Sequence, residues 1–147
     1  MRNRALVVVI VLIVSVLPAC RGLDDPGASV GIFFPRYGLM GSTPLALFEG
    51  RLQAKDGCLW LVRTVGTKIL PIWPGGYGAR GTVGSLQVTD SGGQVVATEG
   101  QSLRVSGGEY PAADARKIMG REEPAACGGS GFWLVGAVIA AGRSSTP

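Results

Sequence analysis

Alternation with a period of two dominates this chain from Phe48 onward. In FEGRLQA, Phe48, Gly50, Leu52 and Ala54 fall on one face and Glu49, Arg51 and Gln53 on the other, which describes a half-buried strand. Lys55-Asp56-Gly57 supplies a hairpin turn, and CLWLVRT is the returning strand. KILPIWP predicts a third strand. Pro71 and Pro74 confine it to a sheet edge or a strand end, because proline has no amide hydrogen for the ladder. SLQVT, QVVAT and SLRVS are further short strands, separated by Asp90-Ser91-Gly92-Gly93 and by Glu99-Gly100-Gln101. AADARKIMGRE, between Pro111 and Glu123, predicts one or two turns of helix. GFWLVGAVIAA, bounded by Gly131 and Gly142, is continuously apolar but too short to span a bilayer. Its β-branched and aromatic content predicts a strand buried on both sides. Many short strands with glycine-rich turns indicate an all-β domain, either a sandwich or a small OB-like barrel. We expect the barrel, since closure removes the exposed edges of such short strands.

The N-terminus follows another pattern. MRNR carries Arg2 and Arg4 and no acid, Ala5 to Leu17 is apolar, and Pro18 interrupts any helix just before Ala19 and Cys20. A basic start, a short apolar helix and a small residue before a cut site describe an export signal. A plain membrane anchor is the alternative, although a comfortable transmembrane helix needs about 20 apolar residues. Leu17-Pro18-Ala19-Cys20 resembles the lipobox of bacterial lipoproteins, with proline a less usual occupant of its position. The resemblance implies cleavage before Cys20, a diacylglyceryl group on its thiol, and residence on the extracytoplasmic face of the cell membrane. Two acyl chains anchor stably where one holds marginally, because each buried methylene contributes about 0.8 kcal/mol. The expected organisation is a signal over 1–19, a lipidated N-terminus and tether over 20–43, a barrel over 44–142 and a tail over 143–147. Within the tether, Ile32, Phe33 and Phe34 are too apolar for a solvated linker. They either pack onto the domain or sit near the membrane surface.

Charge and cysteine content narrow the function. Without residues 1–19 the 14 basic residues become 12, against 10 acidic, and they are scattered along the chain. That is no nucleic-acid footprint. With Cys20 assigned to lipid, two of the three cysteines remain, Cys58 and Cys127. Outside the cytoplasm an even remainder predicts a disulfide. The order EGRL, DGCLWL, PIWPGGY, EGQSLRVSGGE and the late Cys127 before FWLV is also similar to a domain of small exported actinobacterial-type proteins, over about residues 50–135. The resemblance implies the same disulfide and a small β-barrel, and brings no known activity.

Candidate chemistry is sparse. Gly76, Gly78 and Gly81 form a literal G-x-G-x-x-G, but a dinucleotide fingerprint needs a helix opening at its third glycine. TVGSLQV follows instead, so a flexible turn is the better reading. The chain has no histidine, which removes Ser-His-Asp and Cys-His arrangements and the commonest metal ligand. Asp24-Asp25 and Glu122-Glu123 are sequence neighbours that diverge on a strand or a helix, so neither is a catalytic dyad. No metal or other cofactor is expected. Trp60 and Trp133 lie in strand patterns and are expected in the core. Trp73 and Tyr77, flanked by Pro74-Gly75-Gly76, are the candidate ligand-binding pair, exposed on a loop where their rings could stack on a sugar or a peptide proline. The expected protein is thus a lipid-anchored binding or interaction module without enzymatic activity, its partner a cell-envelope polysaccharide or protein. The alternative is a small exported hydrolase using carboxylates from different strands.

Overall fold

A computed structural model describes residues 31–38, 40 and 42–141. The signal segment, Cys20 and the start of the tether, and the tail over 143–147 lie outside the described residues. The chain runs β1 (Arg36–Tyr37), β2 (Ala46–Lys55), β3 (Cys58–Val62), β4 (Lys68–Pro74), β5 (Gly78–Arg80), β6 (Gln87–Thr89), β7 (Val95–Thr98), β8 (Ser102–Tyr110), α1 (Ala112–Met119), a 3-10 turn (Ala125–Cys127) and β9 (Gly131–Ala141).

The fold is all-β, as expected, and five strands close into a small barrel in the order β4-β3-β2-β8-β9 and back to β4. Neighbours are antiparallel except for the closing pair, where β9 runs parallel to β4 with Ile69 opposite Gly131 and Ile72 opposite Leu134. The β2–β3 hairpin turns on Asp56 (φ 54°) and Gly57 (φ 75°), the pair of positive φ values that a two-residue hairpin loop of the favoured twist requires. At Gly107 the β8–β9 ladder bulges, and a Cβ there would collide with the Leu134 carbonyl. Strands β5, β6 and β7 form a second sheet whose Ala79, Val88 and Ala97, with Leu86 just before β6, share one core with the inward residues of the barrel. Glu99 ties this sheet to the barrel: its carboxylate accepts hydrogen bonds from the amides of Ala54 at 3.2 Å and Gly84 at 2.6 Å.

Alternation sorts the strands between two cores. Leu59 and Leu61 of β3, Trp73 of β4 and Trp133 of β9 point into the barrel. Cys58 and Trp60, Leu70 and Ile72, and Phe132 and Leu134 point outward into a second cluster covered by Ala115 of α1 and by Tyr37. The first half of β9 is therefore buried on both faces, as its unbroken apolar run predicts, whereas Ile139 in its second half is 55% exposed. Helix α1 has the expected two turns and ends on Gly120 at φ 65°, a left-handed cap that glycine adopts without strain. The disulfide joins Cys58 to Cys127 with Cα atoms 5.6 Å apart, fastening the start of β3 to the turn before β9.

Two expectations are corrected here. The strand containing Pro71 and Pro74 is central: β4 is flanked by β3, β9 and β1. Each proline falls where a ladder is short. The β3–β4 pairing covers only Lys68 and Ile69, before Pro71, and Pro74 is the last residue of β4. The packed unit also starts well before Pro44, because the end of the expected tether fills the space where β3 and β4 part. Phe33 bridges to Cys58 with its amide on the Gly57 carbonyl, β1 lies parallel to β4, and the Trp73 amide donates to Pro35. Phe34 and Tyr37 are buried, and the Tyr37 hydroxyl donates to the Val135 carbonyl at 2.8 Å. Arg121 holds the segment from outside, with its guanidinium 4.7 Å from the Phe33 ring centre and a hydrogen bond to the Phe34 carbonyl. Of the two fates open to Ile32, Phe33 and Phe34, packing onto the domain is the one observed.

The region after α1 carries an acid-sensitive contact. Arg116 donates two hydrogen bonds to the Glu123 carboxylate, at 2.6 and 3.0 Å, and that side chain is only 7% exposed. Those bonds hold the Glu123 carboxyl below its ordinary range, against the opposing effect of burial. A depressed folded value means stability that is present above the unfolded value of about 4.3 and lost as pH falls through the folded one. Glu123→Gln should therefore melt a few degrees below the parent at pH 6. The gap should close in melting scans run toward pH 3, and a gap constant with pH would show that the contact does not titrate.

Candidate functional site

The structure disperses most residues singled out from the sequence. Cys20, Asp24 and Asp25 lie outside the described residues. Cys58 and Cys127 are spent in the disulfide. Gly76, Gly78 and Gly81 lead into β5 and a tight turn followed by β6, with no helix to receive a phosphate, and Gly76 has no room for a Cβ against Ser91. Glu123 is bonded to Arg116 while Glu122 beside it is exposed, so the two do not act as a pair.

The expectation that Trp73 is exposed is corrected. Its ring is completely buried, stacked on Phe34 at 5.5 Å between centres and on Tyr77 at 5.9 Å. Pro71 and Pro74 do not carry the ring outward; Trp73 is an inward position of β4, and β1 covers the strand beside it. Tyr77 is half-buried against the same core. Burial, and after it the nearby Asp90 and Tyr37, raises its hydroxyl pKa above the ordinary range. The two rings stack on each other, and Trp73 offers no open face for a ligand. Trp60 and Trp133 are core residues, as expected.

A concave surface lies elsewhere, and it follows from the length of β2. This ten-residue strand pairs with β8 over Ala46–Arg51 and with β3 over Arg51–Lys55, so it passes from one neighbour to the other at Arg51. Where β3 ends, the chain leaves the sheet at Arg63, and a groove of about 660 Å³ opens over the outer face of β2. Gly50 permits the crossing: a Cβ there would stand 2.8 Å from the Val62 carbonyl oxygen and 2.6 Å from the Phe48 ring.

Two strand-borne arginines and one from the loop after β3 line this groove. Arg51 is an outward position of β2, Arg104 an outward position of β8, and Arg63 follows β3. Since Arg51 stands opposite Ser102 and Glu49 opposite Arg104, the two strand-borne arginines are diagonal neighbours, with backbones about 7–8 Å apart. The Arg63 guanidinium lies 4.6 Å from the centre of the Phe48 ring, a buried, inward position of β2. Glu49 is the single acid of the lining and is bonded to Arg104 at 2.8 Å. Both partners of that pair are more than half exposed, where such a contact contributes little to stability and rearranges at little cost. Neither Arg51 nor Arg63 has a carboxylate partner among the described residues.

Sequence reasoning passed over these arginines. They are far apart along the chain, and each looks like an ordinary polar position of a half-buried strand. Only the register across β2 brings Arg51 and Arg104 to diagonal positions. Among the described residues, no group of histidine, cysteine, aspartate or glutamate side chains is placed to hold a metal ion. No family model matches the chain, and neither the curated proteins nor the solved structures contain a significant match to it.

Proposed function

We propose that this protein is a lipid-anchored binding module of the extracytoplasmic membrane face, held by acyl chains on Cys20 and presenting a rigid β-barrel to a partner in the cell envelope. The observation that carries the reading is the Cys58–Cys127 disulfide, because such bridges persist in oxidising compartments and are rare in the cytosol. The lipobox-like Leu17-Pro18-Ala19-Cys20 and the basic, apolar segment before it supply the route there. For the binding role, support comes from the groove over β2. Its strand-borne donors are Arg51 and Arg104, whose guanidinium groups suit paired hydrogen bonding, and its one acid is bonded to Arg104.

Mass spectrometry of protein extracted from membranes should find the chain beginning at Cys20 with a diacylglyceryl-sized addition on that residue. Cys20→Ala should leave the membrane fraction for the soluble extracytoplasmic fraction. The released protein should then re-bind isolated envelopes in a saturable manner. An unmodified Cys20 would remove the anchor from this reading, and non-saturable adsorption to envelopes would remove the binding role.

A further inference from the structure

We infer that the barrel end carrying the tip of the β2–β3 hairpin is a basic docking surface for an anionic phospholipid bilayer. The inference rests on the lipid anchor proposed above, and adds which end of the domain meets the membrane and which headgroup charge it takes. The tether enters at this end. Phe33 bridges to Cys58, its amide donates to the Gly57 carbonyl, and the Gly31 carbonyl would stand 3.3 Å from a Cβ on Gly57. Cys20 precedes Gly31 by eleven residues, so even a fully extended chain holds Gly31 within about 40 Å of the anchored cysteine. The opposite end of β2 lies about 30 Å from the tip along the strand.

The side chains around the entry suit such a surface. Lys55 opens the hairpin turn, paired with Cys58. Arg121 lies over Phe33, and Lys68 places Nζ 4.1 Å from the ring centre of Trp60, two positions along β3 from Cys58. The turn after β5 sits at the same end, because the Glu99 carboxylate binds the amides of both Ala54 and Gly84. Arg80 stands at the foot of that turn and Val83, 63% exposed, within it. None of these four cations has a carboxylate partner among the described residues. They outnumber the exposed acids beside them, Asp56 and Glu122, while Glu99 is spent on backbone amides. Headgroup phosphates attract basic residues close to the surface, and an exposed valine side chain enters the boundary between headgroups and acyl chains. A patch of this size is weak alone. On a domain already tethered it acts at high effective concentration, which turns weak attraction into a preferred orientation.

The test uses the full lipidated chain in nanodiscs of phosphatidylcholine alone, and of phosphatidylcholine and phosphatidylglycerol in equal parts. Acetylation by a water-soluble reagent is followed by mass spectrometry, and Lys55, Lys68 and Lys117, the lysines of the chain, report separately. Lys117 on α1, 79% exposed and held at Asp114, is the reference. Lys55 and Lys68 should each react at least about fivefold more slowly on anionic than on neutral discs, with Lys117 changed by less than about twofold. Molar salt should remove most of the difference, since the Debye length then shrinks to about 3 Å. Arg80→Gln combined with Val83→Ser should return most of the Lys55 reactivity on anionic discs. Both side chains are exposed, so the melting temperature should stay within a few degrees of the parent. The inference is overturned by equal reaction of Lys55 on the two lipids, by protection of Lys117 to the same degree, by protection undiminished in molar salt, or by a double variant that is protected like the parent. A chain that inserts into both discs while Lys55 ignores their charge loses the docking surface and keeps the anchor. One that inserts into neither loses both.

Discussion

Replacing Cys58 and Cys127 together by alanine is expected to lower the melting temperature by about 15–30 °C, and reduction of the unaltered protein should do the same. The bridge closes a loop spanning a sequence separation of 69 residues. In the chain-entropy account, opening a loop of that length returns about 4 kcal/mol of freedom to the unfolded state. A domain of roughly a hundred residues shifts its melting point by about 4–8 °C for each kcal/mol. Total stabilities of about 5–15 kcal/mol put the loss at roughly a quarter of the fold's margin or more. The effect belongs chiefly to the unfolded chain, so the double variant should keep its strand content by circular dichroism below the transition. Calorimetry on the two forms measures the difference. A shift under about 5 °C would mean that the closed ring and the two cores determine stability without the staple.

Trp73→Ala should be almost as damaging, at about 3–5 kcal/mol, the range found when large buried aromatic side chains are truncated. The indole ring is fully buried between Phe34 and Tyr77, so its removal opens a cavity where β1 meets β4. Tyr77→Ala should cost less, because that ring is half-buried at the edge of the stack. Urea unfolding of both variants gives the comparison. If Trp73→Ala melts like the parent and instead loses envelope binding, the ring belongs to a ligand site and not to the core.

These two residues show what could be learned from the sequence and what could not. The hairpin at Lys55-Asp56-Gly57, the inward series Phe48, Leu52 and Ala54, and the doubly buried start of the last strand were legible, because each is set by neighbours in the chain. Pairing of Cys58 with Cys127 was legible by elimination, once Cys20 is assigned elsewhere. Pro71 and Pro74 misled because a missing amide forbids a hydrogen bond at one position, not a central place in the sheet. A strand whose neighbours change along its length satisfies that rule without lying at an edge. Trp73 was misplaced for a related reason: its burial depends on Phe34, from a segment that looks like linker. The groove was invisible because its lining residues, from β2, β8 and the end of β3, come together only through the pairing of β2 with two partners in succession.

Closure of the ring by its last strand sets an order of events. Strand β9 supplies both of the final seams, one against β8 and one against β4, so a chain emerging from its N-terminus has no complete barrel until residues 131–141 are free. Until then the outward cluster of Trp60, Leu70 and Ile72 lacks Phe132 and Leu134, and Cys58 waits for a partner that comes late. Such long-range closure makes for slow folding and a prolonged aggregation-prone interval. For a polypeptide threaded across a membrane, the same dependence has a use. On the export route proposed above, it would keep the chain pliable during passage and delay the closing seam until the C-terminal strand has followed the rest.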